Sequence, residues 1–188
     1  LSSTNYIVMV RANCSATDSS FWSLTASLHT PCDIVPAENY SEDFADYTAN
    51  ASVTTSGVMP DCWDYLYSGV DAGAEPHVYN GTSAVTSGDN CLTITAGGYE
   101  DWWYDEYYDY GTTNYAIMPE FDDLTGKQLN FAYKTGTYGS LAIGYMTDVT
   151  DAGSFVEIES IPSTTTATNY EVNVDNVPAG VRLAFAWT

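Results

Sequence analysis

The chain has 188 residues, with 4 lysines and arginines against 25 aspartates and glutamates, so its formal net charge is −21 at neutral pH. Nucleic acids and anionic membrane surfaces are bound through clustered basic side chains, which four such residues cannot supply. No apolar run approaches the ~18–20 residues of a membrane-spanning helix. The composition therefore predicts no nucleic-acid partner and no membrane insertion.

Short segments in which apolar and polar residues alternate predict β-strands along most of the chain, and no segment has a helical period. In chain order the predicted strands are 6–10, 92–95, 115–118, 129–133, 141–146, 155–158, 170–174 and 181–185. Glycine, asparagine, aspartate and proline separate them. Many short strands without intervening helices indicate an all-β protein built as an antiparallel sandwich.

A domain boundary is predicted near residue 32. Residues 1–30 contain two strand-like segments around a polar loop, and two strands cannot bury a core alone. Residues 1–32 are therefore expected to be part of one domain, and residues 33–188 to form the main domain. Because residues 181–188 have the pattern of a β-strand that is still continuing at the last residue, the chain is expected to be a processed or truncated piece.

The four cysteines, Cys14, Cys32, Cys62 and Cys91, carry information about the compartment. They include no C-x-x-C pair, so a structural zinc site is not expected. An even number is consistent with two disulfides, for which three pairings are possible. We favour Cys14–Cys32 and Cys62–Cys91, and the alternative is four free thiols in a reducing cytosol. The acidic, tyrosine-rich composition favours the oxidising exterior, so the protein is expected to be extracellular or at the cell surface.

Catalytic chemistry has little support in the sequence. His29 precedes a Thr-Pro-Cys boundary, and His77 lies in a turn-like Glu-Pro-His segment. Neither is near a nucleophile motif, which serine or cysteine catalysis requires. The chain is therefore not expected to be an enzyme.

Residues 97–111 are unusually rich in both aromatic and acidic side chains. Aromatic rings stack on the apolar faces of sugars while carboxylates accept hydroxyl hydrogen bonds, so this segment is a candidate glycan site. The candidate ligand-binding residues are Tyr99, Trp102, Trp103, Tyr104, Tyr107 and Tyr108. A second interpretation of this segment is a calcium site, since Ca²⁺ takes several oxygen ligands. A third interpretation is a loop that packs on its own sheet or on a neighbouring subunit.

Segments 6–14, 20–23 and 28–32 contain a Tyr-x-Val-x-Val-Arg-Ala pattern and a Ser-x-Trp-Ser entry to a final strand. This region resembles the last two strands of a fibronectin type III domain. The resemblance implies that residues 1–32 are the C-terminal strands of such a domain, in a cysteine-containing variant found in secreted proteins of Bacteroidota.

The remainder resembles the MAM-like jelly rolls of Bacteroidota surface proteins, of the "cleaved adhesin" or "choice-of-anchor J" type. The matching segments are 39–44, 59–63, 115–121, 129–131, 141–151 and 154–156, in the order of the family. The resemblance implies an antiparallel jelly-roll sandwich that lacks its closing strand. Such jelly rolls often hold a structural Ca²⁺ on an acid of the first strand, where Glu42 stands beside Asp43. Calcium is the one cofactor expected, although its usual partner in the closing strand is absent.

These observations lead to one functional expectation and two alternatives. The chain is expected to be an extracellular, non-enzymatic adhesion or structural module of a multidomain cell-surface protein. Its partners would be neighbouring domains or subunits of the same protein, and glycans. The first alternative is a protomer of an extracellular filament, completed by strand exchange between subunits. The second alternative is a carbohydrate-binding module tethered to an enzyme.

Overall fold

A computed structural model describes residues 5–15, 17–52, 57–68, 75–81, 84–95, 99–101, 106–108, 112–137 and 139–188. The chain divides into two compact units, Leu1–Asp33 and Ile34–Thr188. Across the described ranges the secondary structure consists of thirteen strands and one 3-10 turn at Ala152–Ser154. The predicted all-β, antiparallel sandwich class is confirmed. Within the same ranges, no helix is long and apolar enough to cross a membrane.

The first unit is a β-hairpin of β1 (Asn5–Val8) and β2 (Ala26–His29), which pair antiparallel. The pairing continues beyond these strands, because the amide of Ser23 donates to the carbonyl of Val10 at 2.8 Å. A two-stranded element has no second layer to cover its apolar side chains. Ile7 is accordingly 72% exposed.

The second unit is a sandwich whose larger layer has five strands. Its strands are β3 (Asp64–Leu66), β8 (Asn114–Glu120), β10 (Leu141–Met146), β11 (Phe155–Ile161) and β13 (Arg182–Trp187). Their order across the sheet is β11-β10-β13-β8-β3, and all pairs are antiparallel. The sheet is apolar on both faces near its centre, because Ile117 and Ala184 pack on one side while Ile143 and Leu183 pack on the other.

The opposite layer consists of two separate strand pairs. β9 (Gln128–Tyr133) pairs with β12 (Thr168–Asn173), and β4 (His77–Tyr79) pairs with β5 (Cys91–Thr93). Leu129, Phe131 and Tyr133 alternate with exposed residues along β9, so one face of this strand points into the sandwich. A further short hairpin joins β6 (Tyr99–Asp101) to β7 (Glu106–Tyr108).

Candidate functional site

A groove of about 600 Å³ opens in the second layer of the sandwich, between β5 and β9. The residues of these two strands form its walls. Its floor belongs to the five-stranded sheet and consists of Met118, Leu141, Phe185 and Trp187. Phe131 of the β9 wall packs edge-on against Phe185 of the floor, with ring centroids 4.9 Å apart. The groove is therefore apolar at its base and bounded by main chain on both sides.

The β9 edge that faces the groove carries main-chain groups with no strand partner among the described residues. On the other edge, the amide of Val174 donates to the carbonyl of Lys127, which makes these two residues a hydrogen-bonded pair of the β9–β12 ladder. Hydrogen-bonded and non-hydrogen-bonded pairs alternate in an antiparallel ladder. The N–H and C=O groups of Asn130 and Ala132 therefore point away from β12, toward the groove.

The β5 edge has the same property. The amide of Val78 donates to the carbonyl of Val58 at 2.8 Å, and its own carbonyl accepts from the amide of Asn50 at 3.1 Å. The main chain of Val78 thus points away from β5, so its partner Leu92 is in a non-hydrogen-bonded pair. The N–H and C=O of Leu92 consequently face the groove, where no described strand pairs with them.

The course of β5 is fixed by contacts at its two ends. Just before Cys91, the side chain of Asn90 donates to the carbonyl of Phe44 at 2.8 Å. Just after β5, the carbonyl of Thr95 accepts from the side chain of Asn114 at 2.7 Å. β5 therefore runs from the segment around residue 44 toward the start of β8.

β9 runs in the same direction. Lys127, immediately before it, forms an ion pair with Glu38, in the segment that leads to Phe44. After Tyr133 the chain reaches Ser140, whose amide donates to the carbonyl of Thr188 at 2.9 Å. Thr188 follows β13, whose last residue pairs with the first residue of β8. Two parallel strands flank the groove, so a single strand between them can be antiparallel to both.

The end of the groove near residue 44 contains Glu42 and Asp43, the predicted calcium ligands. Glu42 accepts hydrogen bonds from the Phe44 amide at 2.7 Å and from the Tyr47 hydroxyl at 3.2 Å. Asp43 accepts one from the Ala45 amide at 3.0 Å. Both carboxylates thus accept hydrogen bonds from amides of the turn in which they lie. The described residues contain no group of three side chains that could hold a metal ion.

Aromatic side chains pack beside these acids. The indole Nε1 of Trp63 donates to the Tyr40 hydroxyl at 2.9 Å, and Tyr40 stacks edge-on against Phe121. Burial raises the pKa of the Tyr40 hydroxyl, and the nearby charge of Glu42 raises it further. Trp63 is half-buried and packs on the main core cluster.

The cysteine pairing expected from the sequence is wrong. Cys32 and Cys62 form the disulfide, whereas Cys14 and Cys91 are free thiols. Pairing depends on which Cα atoms approach within about 7 Å, and sequence spacing does not report that distance. Cys91 instead lines the groove, where burial raises the pKa of its thiol.

Of the predicted aromatic site, the structure describes only the main chain of the β6–β7 hairpin, which brings Tyr99 opposite Tyr108. Trp102, Trp103 and Tyr104 lie outside the described residues. His77 is buried, and its ring nitrogens contact the carbonyl oxygens of Glu75 and Ser52.

The groove itself was not identified from the sequence. The strands that form its walls were partly predicted, but nothing in their alternation indicates which strand edges stay unpaired.

Comparisons with protein-family models, with curated proteins and with solved structures found no match to this chain.

Proposed function

We propose that this chain belongs to an extracellular, non-enzymatic module that serves in attachment or structural support. In this proposal its second layer is completed by one β-strand from a neighbouring domain or subunit of the same protein. The observation that carries the proposal is the groove, with open main-chain edges on both sides and an apolar floor. Strand addition uses these features, because main-chain hydrogen bonds provide affinity and alternate side chains fill apolar pockets.

The disulfide supports the extracellular part of the proposal. Cys32 and Cys62 are bonded, and disulfides persist mainly in oxidising compartments. The net charge of −21 favours solubility. Both properties suit a module exposed outside the cell.

The proposal is tested by adding a synthetic strand to the full chain. The probe is an eight-residue peptide in which valine and threonine alternate, with a C-terminal lysine. We expect it to slow alkylation of Cys91 by iodoacetamide several-fold, because Cys91 lines the groove. We also expect slower hydrogen exchange at Leu92, Asn130 and Ala132. The exposed Cys14 provides an internal control whose rate should not change.

A matched control peptide has the same sequence with every second amide N-methylated, so that it keeps the side chains and loses main-chain donors. The proposal is contradicted if the parent peptide leaves Cys91 and the three amides unprotected. Equal protection by the methylated peptide would also contradict it, because binding would then not involve the strand edges.

A carbohydrate-binding role is the second candidate. The aromatic and acidic composition of residues 97–111 favours it, since sugars bind between rings and carboxylates. A glycan array with the parent chain and with the Trp102→Ala and Trp103→Ala variants tests the role of the aromatic segment. If the parent binds a glycan and the two variants bind it equally, that segment is not the site.

Calcium binding at Glu42 and Asp43 remains part of the proposal. Both side chains are oxygen donors of the kind that Ca²⁺ prefers, and both lie on one turn. We expect added Ca²⁺ to raise the melting temperature of the parent chain but not that of a Glu42→Gln variant. An unchanged melting temperature of the parent chain after chelation would refute a structural calcium site.

A further inference from the structure

Residues 22–28, which lead into and include most of β2, are exposed and alternate regularly between apolar and polar side chains. Trp22, Leu24 and Leu28 are 56%, 93% and 55% exposed, and serine and threonine separate the apolar positions. In the hairpin, the guanidinium of Arg11 lies 4.7 Å from the Trp22 ring centroid. Such an exposed cation–π contact contributes little to stability. These large apolar side chains therefore contact little within their own unit.

The pattern of this segment matches what the groove requires. A strand between β5 and β9 would have one face on the apolar floor and the other in solvent, so it needs apolar residues at every second position. Residues 22–28 have this period. Their length of seven residues is close to that of β9, which spans six. The other strand of the hairpin is a poorer donor, because Ile7 and Val8 are both exposed and apolar although they point to opposite faces.

Charge favours the same segment. Residues 19–28 contain no acidic and no basic side chain, in a chain whose net charge is −21. An acidic donor would be repelled by Glu42 and Asp43 at one end of the groove. An uncharged donor avoids this repulsion.

We propose that residues 22–28 of one copy of this chain add as a strand between β5 and β9 of a second copy, antiparallel to both. This inference rests on the proposed function and names its partner. To bind, the segment leaves the hairpin, and an isolated two-stranded hairpin is only marginally stable. It gains hydrogen-bonded partners on both edges and an apolar floor. Because each copy has one donor and one groove, the contact is head-to-tail and generates a ring or an open filament.

The test compares two variants of the full chain that carry the same new charge at neighbouring positions. In the docked strand Leu24 faces the floor and Thr25 faces solvent, whereas both are exposed in the hairpin. Leu24→Glu would bury an unpaired carboxylate, so we expect it to weaken self-association at least about tenfold. Thr25→Glu should leave association close to that of the parent. Analytical ultracentrifugation over a range of concentrations measures both.

Cross-linking identifies the site of contact. In a Cys14→Ser background, Ser27→Cys supplies one thiol and the native Cys91 supplies the other, because an antiparallel donor brings the end of its segment to the start of β5. We expect a short bis-maleimide to produce a ladder of linked chains, and Cys91→Ser should abolish it. A cross-link confined to single chains at every dilution would overturn the second-copy proposal.

The outcomes separate this inference from the proposed function. If the parent chain stays monomeric while the valine–threonine peptide still protects Cys91, the donor assignment is wrong and the groove still accepts a strand. If the peptide also fails, both proposals fail. Equal loss of association in Leu24→Glu and Thr25→Glu would refute the inward orientation of Leu24.

Discussion

Arg182, the first residue of β13, holds several parts of the sandwich together. Its Nε donates to the carbonyl of Met118 at 2.6 Å, and its Nη2 donates to the carbonyl of Cys62 at 2.8 Å. The carboxylate of Asp64 lies 3.5 Å from its Nη1. Burial lowers the pKa of this guanidinium, and the neighbouring acid opposes the shift. Arginine nevertheless stays charged at all ordinary pH values, so these bonds persist.

The Arg182→Met variant keeps much of the side-chain volume and removes every donor. The carbonyls of Met118 and Cys62 then lose a partner, at a cost of about 1–3 kcal/mol for each group that is left unsatisfied. Asp64 also loses its counter-charge, but it is more than half exposed and contributes little. We therefore expect the free energy of unfolding to fall by about 2–6 kcal/mol, the sum for the two carbonyls.

Urea unfolding of the parent chain and the variant, followed by tryptophan fluorescence, measures this difference. Lys127→Met is the matched control, because Lys127 forms an exposed ion pair with Glu38. Exposed pairs contribute little to stability, so this control should remain close to the parent. The reasoning is refuted if the two variants shift the unfolding midpoint by equal amounts.

Three further predictions concern the disulfide, the core and a surface turn. Cys32→Ser opens a loop of about 30 residues and should lower the free energy of unfolding by about 3–4 kcal/mol, whereas Cys14→Ser should not change it. Ile143→Ala leaves a cavity in the core and should cost about 2–5 kcal/mol in thermal unfolding. Hydrogen bonds from the Thr150 hydroxyl and amide hold the pKa of Asp148 below its usual value. Thr150→Val should raise that pKa in an NMR titration.

The sign of the last effect follows from proton linkage. The folded pKa of Asp148 is lowered, so its contribution to stability is present above the unfolded pKa and is lost as the pH falls through the folded pKa. The difference between the parent and Thr150→Val should therefore disappear in acid. An unchanged pKa of Asp148 in Thr150→Val would contradict the contribution of the Thr150 hydroxyl. The control for the core substitution Ile143→Ala is Ile7→Ala, because Ile7 is exposed.

Much of the second unit was predictable because its longer strands alternate clearly. The segments 129–133, 141–146 and 170–174 were predicted as strands, and β9, β10 and β12 cover most of them. The strands β3 and β4 were missed, since each has only three residues and no alternation is visible over that length. β3 and β4 are strands because they pair with neighbouring strands, and this pairing depends on the tertiary structure.

The candidate site was predictable only in its parts. Glu42 and Asp43 were selected as calcium ligands, and the structure places them at one end of the groove, where they bind main-chain amides. Cys91 was expected in a disulfide and instead lines the groove with a free thiol. Neither outcome is encoded in local spacing, because each depends on segments that are distant in the chain.

The sequence by itself determined the all-β class, since a period of two in apolar residues is a local property of each strand. Composition likewise led to the expectation of no polyanion partner, because basic residues are scarce. Only the tertiary structure decided which cysteines pair and which strand edges stay open. Both are set by distances and pairings between segments far apart in the chain, and the groove between β5 and β9 exists because those two edges face each other across an apolar floor.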